Sequence, residues 1–172
     1  MDTLTAIRQQ LARVLDWQDA HAGYDMAVQN LPHDLQGIRP QGMPHSAWEL
    51  IEHLRITQRD ILDFCQAPKY HELDWPEQYW PSAQKPPTSE AWHTSVAAFQ
   101  ADREAFKQMA ANPGIDLVAA VPHATTPSQT YLRELLVVAD HNAYHVAQLI
   151  DVRQALGVWP PAVRHPSLSA LC

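Results

Sequence analysis

Glycine, cysteine and long apolar runs are all scarce in this 172-residue chain. It holds 5 glycines and 2 cysteines, and no segment approaches the roughly 20 consecutive apolar residues that a membrane span requires. Cys65 and Cys172 form no C-x-x-C pair, and two isolated thiols are typical of a reducing compartment rather than of a disulfide framework. The first ten residues, MDTLTAIRQQ, carry charge where a signal peptide needs an apolar stretch. We therefore expect a cytoplasmic protein that has no membrane partner.

Basic side chains are also few. The chain has 12 Lys and Arg residues against 19 Asp and Glu residues, for a formal net charge of −7. No local cluster of Lys and Arg interrupts this acidic character. Because an acidic surface repels phosphate backbones, nucleic-acid binding is not expected.

Most of the chain consists of helix-forming runs that are separated by prolines. Hydrophobic residues account for 46% of the chain, and 14 prolines separate runs rich in Ala, Leu, Gln, Glu and Arg. The length suits one domain, which we predict at residues 1–161, followed by a tail at 162–172. Apolar residues recur at steps of three and four, which predicts an all-α four-helix bundle. The predicted helices cover residues 3–30, 47–67, 89–111 and 128–156.

A proline- and aromatic-rich segment, residues 68–87, connects the second and third predicted helices. Unstructured connections of this length are uncommon in compact domains and are often functional. The alternative is that its aromatic rings plug one end of the core. A long second connection also indicates a crossover, and helix bundles build metal sites from side chains that project inward from facing helices.

The motif with the clearest chemistry is His141-Asn-Ala-Tyr-His145 in the fourth helix. Side chains four residues apart lie on the same helix face, so two imidazoles can chelate one ion. Ten histidines in 172 positions make such a pair common by chance. The alternative is a pair of core histidines whose nitrogens find other partners. The motif lacks the Glu of H-E-x-x-H, so a zincin protease is not indicated.

A third ligand would decide between these alternatives, and His53 is the best candidate. It lies on the flank of the apolar stripe of the second helix, where it could also be a half-exposed residue at a helix seam. His21 and His123 are further candidates for the same cavity. His21 is expected to face inward from the first helix, as a fourth ligand, a substrate contact or a core histidine. His45 and His123 flank helix starts and could line the mouth of the cavity.

These residues carry a resemblance to the DinB/YfiT-like superfamily. The segments PHSAWELIEHLR and VADHNAYHVAQL resemble its second and fourth helices, and the Ala20–Tyr24 element and the W-P-E-x-Y-W-P segment at residues 75–81 resemble one of its subgroups. The resemblance extends to about Pro161. It implies an up-down-down-up bundle, often dimeric, with one divalent metal on His53, His141 and His145. Zinc is the first candidate, and nickel and iron occur in other members.

The resemblance also implies a choice of functions. Characterised relatives include thiol S-transferases that use low-molecular-weight thiols and mycothiol-dependent isomerases. A metal ion on three imidazoles makes either a thiol or a water nucleophilic at neutral pH. The first hypothesis is therefore a thiol S-transferase-like enzyme, the second a metal-dependent hydrolase, and the third a non-catalytic metal-binding or protective protein.

A small-molecule substrate requires contacts at the mouth of the cavity. We expect them from His21, His123, Tyr144 and the aromatic segment, where Trp75, Tyr79 and Trp80 offer flat apolar faces with polar tips. No residue is assigned as general base. The six tryptophans and wide apolar helix faces, together with the resemblance, predict a homodimer.

Overall fold

Five α-helices form the part of the chain that a computed structural model describes, residues 2–16 and 20–161. They are α1 (Thr3–Val14), α2 (Tyr24–Val28), α3 (Ala47–Gln66), α4 (Ser89–Ala111) and α5 (Tyr131–Ala155). Short 3₁₀ turns occur at His33–Leu35 and Glu77–Tyr79. No strand occurs in the described ranges, and the helices pack as a bundle, which confirms the all-α prediction. The predicted tail at 162–172 lies outside these ranges.

Side-chain caps define where the long helices begin. A capping box begins α3, with Ser46 accepting from the Glu49 amide and the Glu49 carboxylate accepting from the Ser46 amide. Thr88 caps α4 by accepting from the Ala91 amide. Thr130 accepts a hydrogen bond from the Arg133 amide, so α5 begins at Tyr131, three residues later than predicted. Gly157 follows α5 with a φ of +72°, the left-handed conformation expected just beyond a helix end.

The prediction of one continuous first helix over residues 3–30 was wrong. The helix stops at Val14, and a separate short helix starts after Gly23, whose extended backbone (φ −87°, ψ 178°) forms its N-cap. The reason lies in the pattern itself, which turns polar after residue 14. A helix gains most of its stability from packing an apolar face, and a polar stripe provides no such gain. Residues 17–19 lie outside the described ranges.

Two apolar clusters fill the bundle at different levels. The first joins α2 to the N-terminal halves of α3 and α4 and the C-terminal half of α5. The second joins α1 to the C-terminal halves of α3 and α4 and the N-terminal half of α5. Along α3 the first cluster ends at Leu54 and the second begins at Leu62, and along α5 they are separated by the stretch between Val138 and Val146. Polar side chains occupy both of these intervals.

Gln58 connects three helices in this polar layer. Its side chain is fully buried, its Nε2 donates to the Phe99 carbonyl of α4 at 2.7 Å, and its Oε1 accepts from Asn142 Nδ2 of α5 at 2.8 Å. A buried amide stabilises a fold only when its hydrogen-bonding capacity is met, and here both ends of the amide have partners. The pair therefore fixes α3 and α5 relative to each other next to the histidines.

No helix among the described residues is both long and apolar enough to cross a membrane.

Replacement of Gln58 by Ala should destabilise the fold by about 2–4 kcal/mol, because it opens a cavity and leaves the buried Asn142 amide without its acceptor. Urea unfolding followed by far-UV circular dichroism measures this change. Gln108→Ala is the matched control on the exposed face of α4, where the change should stay within about 0.5 kcal/mol. Equal midpoints for the two variants would contradict the role given to Gln58.

Candidate metal centre

Three histidines from α3 and α5 converge near the boundary between the two apolar clusters. His53 projects from α3, and His141 and His145 project from one face of α5. His53 and His145 are buried, and His141 is half-buried. The His53 Nε2 atom lies 3.2 Å from His145 Nε2 and 3.1 Å from His141 Nε2. The three side chains form a group that could hold a metal ion, with their ligand atoms all within 4.8 Å of one another.

The spacing of these nitrogens fits a shared ion. Two imidazole nitrogens bound at about 2.1 Å lie roughly 3.0 Å apart when they subtend a right angle at the metal and roughly 3.4 Å apart when they subtend a tetrahedral angle. The two observed separations, 3.1 and 3.2 Å, fall between these limits. The group can therefore accept an ion with small adjustments of side-chain torsions.

The tautomers of His53 and His145 direct their Nε2 lone pairs into the space between the three rings. The His53 Nδ1–H donates to the Tyr79 carbonyl at 2.8 Å, and the His145 Nδ1–H donates to Gln148 Oε1 at 2.7 Å. A neutral imidazole that carries its proton on Nδ1 has a bare lone pair on Nε2. Two lone pairs 3.2 Å apart cannot hydrogen-bond to each other, whereas a cation between them would satisfy both. Such hydrogen bonds from the far nitrogen also orient imidazoles in known metal sites.

All three imidazoles are held in the neutral form that metal binding requires. Burial lowers the pKa of His53 to about 4, and the nearby His145 and His45 add to the shift while the Tyr79 carbonyl opposes it. Burial likewise lowers the pKa of His141 to about 4, assisted by the two other histidines. The pKa of His145 is also lowered, mainly by burial.

Aromatic side chains border the group. The Trp80 ring stacks on His53 with ring centroids 3.9 Å apart and planes within 1° of parallel, and it stacks on His45 at 4.0 Å. Tyr144, whose side chain is 63% exposed, meets His145 edge-on at 4.9 Å. Trp75 is 70% exposed and lies 5.3 Å from the Tyr79 ring. Trp80 also packs against the first apolar cluster, so this ring is part of the core as well as a neighbour of the site.

Two of the predicted substrate contacts have their partners elsewhere. The expectation that His21 faces inward from the first helix was wrong, because it lies beyond the end of α1 and is exposed. It contacts the Ala22 carbonyl through Nδ1 and lines a cavity of about 350 Å³ beside α5. His123 donates from Nε2 to the Ala67 carbonyl at 2.7 Å and lies against Tyr70. Their predicted role in substrate binding stays a prediction. Trp80, Tyr79 and Tyr144 are the predicted residues that adjoin the three histidines.

Gln148 is a neighbour of the site that was missed at the sequence level, whereas His45 had been expected to line a cavity mouth. Gln148 orients His145, and its position three residues further along the same helix face is a signal that could have identified it. His45 stacks on Trp80 and, with Gln148, lines a small cavity of about 140 Å³ that adjoins the site. The Tyr79 carbonyl that accepts the hydrogen bond of His53 belongs to the backbone, so no side-chain pattern could have indicated it.

The fold and the site together define a helical bundle with a candidate three-histidine metal centre. The model of one protein family, described as the DinB superfamily, matches residues 5–149. The chain therefore belongs to the DinB superfamily, which confirms the resemblance stated above. Comparison with curated proteins and with solved structures gives no significant match.

The lowered pKa values predict how the stability of the metal-free protein depends on pH. Unfolded histidine titrates near ~6.5, whereas His53 and His141 titrate near 4 in the folded chain. Between these values the unfolded state binds more protons, so stability is fully present above the unfolded pKa and falls as the pH decreases toward 4. His141→Gln should flatten this part of the curve.

Urea unfolding of both proteins in chelator, repeated across this pH window, provides the measurement. Carboxylates such as Glu49, whose pKa is lowered by Arg39 and the Ser46 amide against the effect of burial, contribute equally to both proteins. The difference between the curves therefore reports the histidine. Curves that run parallel from neutral pH to pH 4 would contradict the neutral buried state.

Proposed function

We propose that the chain binds one divalent transition metal through His53, His141 and His145, with zinc as the first candidate and nickel or iron as alternatives. The observation that carries this proposal is the convergence of Nε2 lone pairs from two imidazoles whose Nδ1 protons are engaged elsewhere. Imidazole suits all three metals, so the donor set does not select one of them.

We further propose that the centre is catalytic. Structural zinc sites take four protein ligands, whereas catalytic sites keep a position for water or substrate. In the part of the chain that the structure describes, no fourth His, Cys, Asp or Glu joins the group. A divalent ion in this place would supply Lewis acidity, which makes a thiol or a water nucleophilic near neutral pH.

The proposed reaction is the transfer of a low-molecular-weight thiol to a small electrophilic substrate. A sulfur–carbon bond forms, the leaving group departs with its electron pair, and the thiol proton passes to solvent. The chain's own contribution is to hold three neutral imidazoles and to border the site with Trp80 and Tyr144. Membership of the family and the aromatic border support this reaction over others. Hydrolysis by a water nucleophile and a non-catalytic metal-binding role are the alternatives.

We also propose that the helices α1, α3, α4 and α5 run up, down, down and up, with residues 67–88 as the crossover connection. The pairings support it. Gln58 and Phe99 lie midway along α3 and α4, while the N-terminal half of α3 shares its cluster with the C-terminal half of α5. Arg8, midway along α1, donates to the Ala110 carbonyl near the end of α4, whereas Asp16, just beyond the end of α1, pairs with Lys107, which lies earlier in α4. A cytoplasmic location belongs to the same proposal, and the buried free thiol of Cys65 is compatible with it.

Metal content tests the centre. Purified protein should take up about one divalent ion per chain, and His53→Ala, His141→Ala and His145→Ala should each reduce that uptake strongly. His93→Ala is the control, because this side chain lies exposed on α4. Elemental analysis after dialysis against limiting metal measures all four variants, and equal content in every one of them would refute the site.

Activity distinguishes the three functional alternatives. The metal-loaded protein is screened with several thiols and electrophiles, with esters and amides as hydrolysis substrates. Turnover that needs both a thiol and the metal supports the transferase, and turnover without a thiol supports the hydrolase. If the metal-loaded protein shows no turnover either with or without a thiol, the non-catalytic role is favoured. The same His→Ala variants must abolish any turnover that is assigned to the centre.

We also propose a homodimer that forms through α1 and α5. Leu4, Ile7 and Leu136 are large apolar side chains that stand exposed on these helices. Ile7 and Leu136 line an apolar groove of about 410 Å³, and a covered interface would remove this surface from water.

Leu136→Arg should therefore shift the mass measured by light scattering from about twice the chain mass of 19.4 kDa to the monomer value. A charge placed in an apolar interface is left without a partner, which disfavours association. Val118→Arg, at a side chain that is exposed outside this groove, should leave the mass unchanged. A wild-type mass equal to that of one chain would refute the dimer.

A further inference from the structure

Tyr79 is attached to α3 at two places. Its carbonyl oxygen accepts a hydrogen bond from His53 Nδ1–H at 2.8 Å, and its hydroxyl donates to Asp60 Oδ2 at 2.7 Å. His53 and Asp60 are seven residues apart, so they share one face of the helix and are separated by about 10 Å of helix rise. Tyr79 therefore lies along α3 and spans this distance, with its backbone at the candidate ligand and its hydroxyl two turns away.

Asp60 also accepts a hydrogen bond from a second tyrosine of the same segment. Tyr70 donates its hydroxyl to Asp60 Oδ1 at 3.0 Å. Both carboxylate oxygens are thus used to hold the connection between α3 and α4, once at residue 70 and once at residue 79. Because Trp80 follows Tyr79 directly, the same attachment sets where its ring stacks on His53.

The surroundings of Asp60 are unfavourable for a carboxylate that only adds stability. The group is half-buried, and in the described ranges no Lys or Arg forms an ion pair with it. Burial raises its pKa, the nearby acidic Asp63 and Glu72 raise it further, and the two tyrosine hydroxyls only partly offset this. A partly desolvated charge among like charges costs free energy. Sites that violate the usual rules of packing in this way are often functional.

We propose that Asp60 is a positioning residue for the metal centre, acting through Tyr79 to fix the tautomer and orientation of His53. This inference rests on the proposed function in that His53 is taken as a ligand. The chain of contacts runs from the Asp60 carboxylate to the Tyr79 hydroxyl, and from the Tyr79 carbonyl to His53 Nδ1. The connection between α3 and α4 is therefore part of the centre rather than only its border.

Metal affinity measured by competition with a chromogenic chelator tests the inference. Tyr79→Phe removes the hydroxyl but keeps the ring and the carbonyl, and it should weaken zinc binding roughly tenfold, as loss of an orienting partner does in other metal sites. Asp60→Ala should weaken binding at least as much. If both act through one interaction, the double variant should be no weaker than Asp60→Ala alone.

Two controls separate positioning from general loosening. Asp63→Ala removes a carboxylate from the same helix, where it pairs with Arg59 near the surface, and its zinc affinity should match that of the wild type. Tyr70→Phe removes the other hydrogen bond of Asp60 without touching Tyr79, so its effect should be smaller than that of Tyr79→Phe. Unchanged affinity in Tyr79→Phe, or an equal loss in Asp63→Ala, would overturn the inference.

A measurement on the metal-free protein keeps this inference distinct from the proposed function. With ¹⁵N-labelled histidine, the His53 Nδ1–H should give a proton signal protected from exchange in the wild type and exchanging faster in Tyr79→Phe. If the wild type binds no zinc, the proposed function fails, yet this signal still tests the positioning. A signal equally protected in both proteins would overturn the inference whatever the metal content.

Discussion

The interior of this bundle must hold three uncharged imidazole nitrogens so that they point at one another, and much of the structure serves that requirement. Facing lone pairs repel, and burial makes protonation of His53 and His141 unfavourable until the pH approaches 4. Neighbouring groups fix two of the three rings in this arrangement. The Tyr79 carbonyl fixes His53 and the Gln148 amide fixes His145. Each uses the far nitrogen, so the near nitrogens remain as donors to a cation.

The division of the core into two clusters makes room for this polar group. A single continuous apolar core would leave imidazoles and amides without partners, and buried polar atoms without partners are costly. Here the polar side chains lie at one level of the bundle, where Gln58 and Asn142 bind each other and the histidines lie next to them. Apolar packing above and below then holds α3 and α5 at the separation that the site needs.

The sequence was informative wherever a regular helix carried the signal. Apolar periodicity and proline breaks identified α3 and α4 and most of α5, and the four-residue spacing of His141 and His145 placed both on one face. The helical period was misleading for the first helix, because a polar continuation of an apolar stripe has the same period but no apolar face to bury. It could not determine which residues of the connection between α3 and α4 approach the site. Trp75 and Trp80 look alike in sequence, yet Trp75 is mostly exposed while Trp80 stacks on His53, since the path of an irregular segment depends on long-range contacts such as those of Asp60.

The energetic character of the site also bears on its role. A centre selected only for stability would be better served by apolar side chains of similar volume, because burying polar groups without full compensation costs free energy. His141 Nδ1 is buried without a partner among the described residues, and Asp60 is half-buried among like charges. An ion that binds the folded state would recover part of this cost through mass action, coupling metal occupancy to folding. Yet a purely structural ion is normally enclosed by four protein ligands, and the group contributes three. The combination of costly groups and three protein ligands is what the proposed catalytic role would require.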